Sequence, residues 1–125
     1  MKRGFIALMS AIVISAVLLV TAATAGFVGF YHRSNGLDAE LKARSAAAAD
    51  ACADAALLTL AQGGDPGGRI LSLNSLDECR IGAVSGSAQK TFRVQATSTG
   101  AVTNLEIIAD GSDLSVLSWR EISTF

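Results

Sequence analysis

Few residues of this 125-residue chain have the types and spacing that catalysis requires. The single histidine, His32, and the two cysteines together fall short of the four ligands of a zinc site. The sequence contains no nucleophile elbow, phosphate-binding loop, His-Glu-x-x-His motif or Cys-x-x-Cys pair. We therefore predict that the protein is not an enzyme and needs neither a metal nor a cofactor.

Two pairs of aspartates come close to functional spacings. Asp50 and Asp54 lie four residues apart in a helix-forming segment, a spacing that is typical of a solvated helix face. Asp110 and Asp113 flank a Gly-Ser dipeptide, but this segment lacks the twelve-residue loop and final glutamate of an EF-hand. We interpret it as a hairpin turn.

An apolar run at the N-terminus precedes all of these residues. No charged residue occurs from Gly4 to Tyr31, and about 20 apolar residues suffice to span a bilayer. Because Lys2 and Arg3 precede the run, the positive-inside rule predicts a cytoplasmic N-terminus and an exported remainder. Beyond His32 there are eight basic and eleven acidic residues, and this net charge of −3 gives no electrostatic case for nucleic-acid binding.

Periodicity divides the exported part into a helix over residues 32–62, a Gly-rich connecting loop over 63–78 and a sheet over 79–125. The predicted fold is α+β: a long N-terminal helix, with residues 5–31 in the membrane, packed against a four-stranded antiparallel β-meander. The sheet must pack on the helix because it would otherwise expose an apolar face. The predicted inner face of the helix has three- and four-residue spacing and comprises Leu37, Leu41, Ala48, Cys52, Ala55 and Thr59.

The other side of this helix is predicted to carry Asp38, Lys42, Ala46, Ala49 and Asp50. Asp38–Lys42 and Glu40–Arg44 are acid–base pairs at the favourable four-residue spacing. Asn35-Gly36 is a turn or kink signal within the helix.

The two cysteines belong to different elements of the exported part. Cys52 falls on the apolar face of the helix, and Cys79 is in phase with Ile81 on the inner face of the sheet. An even count in an oxidising compartment favours a Cys52–Cys79 disulfide, which would contribute about 3 kcal/mol. Two buried free thiols are the alternative.

The residues Arg3-Gly4-Phe5-Ile6-Ala7-Leu8-Met9 open the apolar helix and resemble the class III signal of type IV pilins and type II secretion pseudopilins. In that family a prepilin peptidase cuts after the glycine and methylates the new N-terminal phenylalanine. The retained helix then becomes the core of a helical filament. The resemblance implies that residues 1–4 are a leader peptide and that Gly4 and Phe5 are the processing pair.

The same resemblance implies the partners and the location of the protein. The partners would be other pilin-like subunits, the prepilin peptidase, and an assembly platform with its motor. The chain would wait in the cytoplasmic membrane and then enter a filament on the cell surface.

Met9 departs from the pattern of the family, which usually has a glutamate as the fifth residue of the mature chain. That glutamate is thought to pair with the N-terminal amine of a neighbouring subunit, and an unpaired ammonium in apolar surroundings is costly. Pilin-like proteins that lack it tend to be tip or initiating components. The resemblance therefore favours a minor subunit over a major pilin.

Two alternatives use the same N-terminal residues. Ala23-Thr24-Ala25 is a small-x-small signal-peptidase site after an apolar core, and cleavage there would release a secreted module that begins at Gly26. A run that is never cleaved would instead hold a single-pass adhesive or structural domain on the membrane.

Overall fold

The computed structural model describes residues 2–125, with side chains from Arg3 onward; Met1 and the side chain of Lys2, to which the leader and orientation predictions also refer, lie outside it. One helix is followed by five strands: α1 Lys2–Ala61, β1 Ile70–Ser72, β2 Asp77–Ile81, β3 Gln89–Ser98, β4 Ala101–Asp110 and β5 Val116–Ile122. The chain forms a helical unit that ends at Leu37 and a second unit, Asp38–Phe125, which we call the head.

Helix α1 continues through Asn35-Gly36 without interruption, so this turn signal does not break it. The helix ends after Ala61, where Gly63 adopts a positive φ of 78°. The amide of Gly63 donates to the Leu60 carbonyl at 3.0 Å, and that of Gly64 donates to the Thr59 carbonyl at 2.9 Å. These two bonds form a Schellman C-cap, which favours glycine at its left-handed position.

The sheet is an antiparallel meander in the order β1-β2-β3-β4-β5. The predicted α+β fold is confirmed, but the sheet has five strands where the sequence predicted four. The additional strand is β1, which lies in the predicted loop and places Leu71 opposite Cys79. It was missed because three residues are too few to display an alternating pattern.

The β3–β4 hairpin has a two-residue turn, Thr99-Gly100, in which both residues have positive φ. This backbone matches the twist of the flanking strands, which explains the glycine at the second position.

The core of the head lies between α1 and the inner face of the sheet. The helix contributes only small buried side chains, namely Ser45, Ala48, Ala49, Cys52, Ala53 and Ala56. The large buried side chains, among them Ile81, Phe92 and Ile107, come from the strands. The predicted inner face was therefore partly wrong: Leu37 is exposed, and Ala49 is fully buried.

Lys42 joins the helix to the sheet. Its Nζ donates to the Val102 carbonyl and to Thr103 Oγ1, both at 2.9 Å, and it forms an ion pair with Glu121. The hydroxyls of Ser45 and Thr103 share a buried hydrogen bond of 2.7 Å directly beside it.

The two predicted ion pairs on the helix were wrong. Within residues 2–125, neither Asp38–Lys42 nor Glu40–Arg44 lies within ion-pair distance. Such exposed pairs contribute only a few tenths of a kcal/mol. For Lys42, three partners on the sheet replace the single carboxylate of Asp38.

The tight fit of the helix face predicts different tolerance at two neighbouring alanines. Ala49→Leu should lower the free energy of unfolding by about 1–3 kcal/mol, because its additional atoms have no space in the packed core. Ala47→Leu, at an exposed position of the same helix, should change it by less than about 0.5 kcal/mol. Denaturant unfolding of the full chain in detergent, followed by the fluorescence of the single tryptophan, measures both. Equal effects at the two positions would contradict the observed phase of the helix.

Candidate functional site

The predicted processing residues lie in the first turns of α1. Phe5 is exposed, and a Cβ atom added to Gly4 would meet nothing within 4 Å. Within the described residues, packing therefore gives no reason for a glycine at position 4.

The helix surface from Phe5 to Tyr31, here called the apolar surface, is exposed along its whole length. Its large apolar side chains range from 49% exposed at Met9 to 72% exposed at Leu19. The helix that carries them is long and apolar enough to cross a membrane. An exposed apolar area of this extent needs lipid or other protein around it.

Polar groups on the apolar surface are satisfied locally. The hydroxyls of Ser10, Ser15, Thr21 and Thr24 each donate to the carbonyl three residues earlier, at 2.9 Å. Because these bonds stay within the helix, the hydroxyls can enter lipid without a partner.

A shallow depression marks the end of the apolar surface, lined by Ala23, Gly26, Phe27 and Phe30. An added Cβ at Gly26 or Gly29 would meet nothing within 4 Å. Small residues at such positions let another helix approach closely in a membrane.

Cys52 and Cys79 form a disulfide in the core, with their Cα atoms 6.5 Å apart. The pairing that the two periodicities predict is the one the structure contains. The bond joins α1 to the central part of β2, and both residues are buried. Within the head, the sheet is thereby fastened covalently to α1.

The outer face of the sheet carries a charged cluster that sequence reasoning missed. Glu106 on β4 lies opposite Arg93 on β3 and Arg120 on β5. Its Oε2 accepts from Arg93 Nε at 3.2 Å, and its Oε1 accepts from Arg120 Nη2 at 2.7 Å. The side chain of Glu106 is 11% exposed, whereas those of Arg93 and Arg120 are 48% and 66% exposed.

The environment of Glu106 keeps it ionised. The hydrogen bond from Arg120 is the largest influence and holds the pKa of Glu106 below its usual range, with Arg93 acting in the same direction and burial opposing both. Arg93, Glu106 and Arg120 each occupy an outward position in one of three alternating strand segments, and this pattern could have indicated the cluster. However, their register was not available from the sequence, because a bulge between Ile108 and Ala109 shifts β5.

The aspartate pairs occupy the surroundings predicted for them. Asp50 and Asp54 are exposed on α1. Asp110 accepts from the Ser112 amide at 2.8 Å and Asp113 from the Ser115 amide at 2.9 Å, so both carboxylates cap the β4–β5 turn. No cluster of three potential metal ligands occurs in the part of the chain that the structure describes.

Together these features define an α+β protein with one helix long enough to span a membrane and a disulfide-linked head. Comparison with family models, curated proteins and solved structures gives no match.

The disulfide generates the first prediction for this site. Replacing both cysteines by alanine should lower the free energy of unfolding by about 3 kcal/mol, because the bridge joins residues 27 apart and restricts the unfolded chain. Chemical unfolding of oxidised, reduced and double-variant protein measures the effect. If folded protein from an oxidising compartment labels fully with a thiol reagent, the bridge is absent and the prediction is wrong.

The Glu106 cluster predicts how stability depends on pH. Because the pKa of Glu106 is lowered in the folded state, its contribution is complete above about 4.5 and is lost as the pH falls through the lower folded value. Glu106→Gln should therefore destabilise the head at neutral pH, and the difference from wild type should shrink under acid conditions. Urea unfolding at several pH values tests this, with exposed Glu78→Gln as the control. A difference that is independent of pH would count against the role of the ionised carboxylate.

Proposed function

We propose that the protein is a minor structural subunit of a type IV pilus-like or pseudopilus filament. On this proposal, prepilin peptidase cuts between Gly4 and Phe5, and the apolar helix holds the subunit in the cytoplasmic membrane until assembly. The observation that carries the proposal is the continuity of α1. One uninterrupted helix begins at Lys2, contains the processing pair in its first turns, provides the whole apolar surface and then forms one layer of the core of the head.

The apolar surface supports both stages of this function. In the membrane, lipid surrounds side chains that water would not tolerate. In a filament, neighbouring helices would replace the lipid through close packing, with Gly26 and Gly29 open to approach. Replacing lipid by neighbouring helices leaves no serine or threonine hydroxyl without a hydrogen bond. These hydroxyls of the apolar surface already bond to carbonyls of their own helix; they belong to Ser10, Ser15, Thr21 and Thr24.

The disulfide and the Lys42 contacts support a mechanical role. A motor that moves the subunit acts through the helix, and the sheet must stay attached to that helix. Cys52–Cys79 provides a covalent attachment, while Lys42 adds a second contact between α1 and the β4–β5 side of the sheet.

Met9 supports the assignment as a minor subunit. It lies on the apolar surface where the family usually has its glutamate, so processing would leave the Phe5 amine without that carboxylate partner. Insertion beneath an existing subunit would then be unfavourable. Such a subunit is better suited to begin or cap a filament than to extend one.

Secretion after cleavage at Ala25 is less compatible with the structure of the helix. Cleavage there would leave Phe27, Val28 and Phe30 near the new terminus, and all three are exposed. A secreted protein would have to cover this patch in water. An uncleaved, membrane-anchored domain would not have this problem, and the experiment below separates it from the filament subunit.

Processing predicts a defined N-terminus in protein isolated from its native host. Mass spectrometry of the N-terminal peptide should find N-methylated Phe5. Gly4→Leu should abolish cleavage, because the peptidase requires a residue without a side chain before the cut. Gly29→Leu is the matched control, since it makes the same change at another open glycine of the helix, and it should be cleaved normally.

The other N-termini are equally informative. A chain that begins at Gly26 overturns the proposal in favour of a secreted module, and an intact Met1 in mature protein overturns it in favour of an anchored domain. Surface filaments that contain Phe5 in its methylated form would support the assembly step.

A further inference from the structure

The head has two opposite surfaces with different charge. Because α1 packs on the inner face of the sheet, its outward side and the outer face of the sheet point away from each other. We call the outward stripe of α1 the acidic ridge; its exposed residues are Ala43, Ala47, Asp50, Ala51, Asp54 and Leu58. We call the outer face of the sheet, with Arg80, Arg93 and Arg120, the arginine face.

The charges of the acidic ridge have no counterpart on the helix. Asp50 and Asp54 are the only charged residues between Ser45 and Gly64. Within residues 2–125, no cation lies within ion-pair distance of either carboxylate. The alanines around them leave the carboxylates projecting from a low surface, where a partner could approach closely.

The centre of the arginine face has the opposite excess. Two arginines there, Arg93 and Arg120, share one carboxylate, Glu106, while Glu78 and Asp110 lie farther along the same outer face. Both oxygens of Glu106 are already occupied, so it can neutralise only one of its two arginines. Since Arg93 and Arg120 use only Nε and Nη2 toward Glu106, each keeps donors that other described residues do not engage.

The spacing of the two sets of charges is compatible. Neighbouring strands lie about 4.8 Å apart, so Arg93 and Arg120, two strands apart, are separated by about 10 Å at their backbones. Their guanidinium groups converge on Glu106, which brings the charges closer than the backbones. Asp50 and Asp54 are one helical turn apart, about 6 Å. Two carboxylates can therefore meet two guanidinium groups at once.

We propose that the acidic ridge of one copy of the chain docks on the arginine face of a second copy, with Asp50 and Asp54 meeting Arg93 and Arg120. The two surfaces are different and lie on opposite sides of the head, so the contact is head-to-tail and leaves both ends free for further copies. This proposal rests on the proposed filament function. It describes how the heads of neighbouring subunits would contact each other in the filament.

A contact of this kind suits subunits that share a membrane. Exposed ion pairs are individually weak. Copies held in one bilayer by their apolar helices have a high effective concentration, so a weak contact suffices to align them. Complementary charge then sets which surfaces meet rather than how tightly they bind.

Zero-length cross-linking of the full chain tests the contact. Isotopically heavy and light copies of an Arg120→Lys variant are reconstituted together into liposomes and treated with a carbodiimide, which couples amines to carboxylates. Cross-linked peptides between heavy and light chains should join position 120 to Asp50 or Asp54. A link from position 120 to Glu106 within one chain should form as well and reports that the head is folded.

Arg69→Lys provides the matched control, since Arg69 is exposed but precedes the sheet. It should give no heavy–light link to the acidic ridge. Raising the salt from 0.05 to about 1 M should reduce the heavy–light links about tenfold, because screening acts over about 3 Å at 1 M, while the partly buried link to Glu106 persists.

The contact is overturned if position 120 links between chains only to other carboxylates, or if the control links to the ridge equally well. Failure of the filament function is recognised separately, from the N-terminus of native protein. If Phe5 is methylated but no cross-link reaches the acidic ridge, only the proposed contact is wrong. If cross-links reach the acidic ridge in a chain that is never processed, only the filament function is wrong.

Discussion

The head depends on the contact between a helix face of small side chains and a sheet that supplies nearly all the bulk. Alanine buries little apolar area, so the core draws most of its hydrophobic free energy from strand residues such as Phe92 and Ile107. A domain of this size has a narrow margin of stability, of order 5–15 kcal/mol. A disulfide worth about 3 kcal/mol is a large share of that margin, and it lies directly in the helix–sheet contact.

The sequence was most informative where apolar and polar residues form a pattern of strong contrast. The apolar run and the alternating strands are patterns of strong contrast, and they predicted the long helix and the meander. Alanine has no such contrast, because it is equally common on buried and exposed helix faces. For this reason the sequence predicted the outward position of Ala49 wrongly, although Cys52 was placed on the correct face.

Strand register set the second limit to prediction. Which residues meet across a sheet depends on turns and bulges, and the bulge between Ile108 and Ala109 determines that Glu106 lies opposite Arg120. Lys42 illustrates the same point between layers: its partners are more than fifty residues away, so local spacing favoured Asp38 instead. The candidate processing residues and apolar surface, by contrast, are contiguous in the chain and needed no register.

The two parts of α1 differ in the distribution of their polar residues because their surroundings differ. From Phe5 to Tyr31 the helix has no charged residue on any side, which a uniformly apolar environment would favour. Beyond Asp38 one stripe is buried under the sheet, and the opposite stripe carries carboxylates. A signal peptide that is discarded would have no need to continue, without a break, into the helix on which the head folds. The continuity of α1 is therefore the strongest physical argument for the proposal that the apolar segment is retained in the working protein.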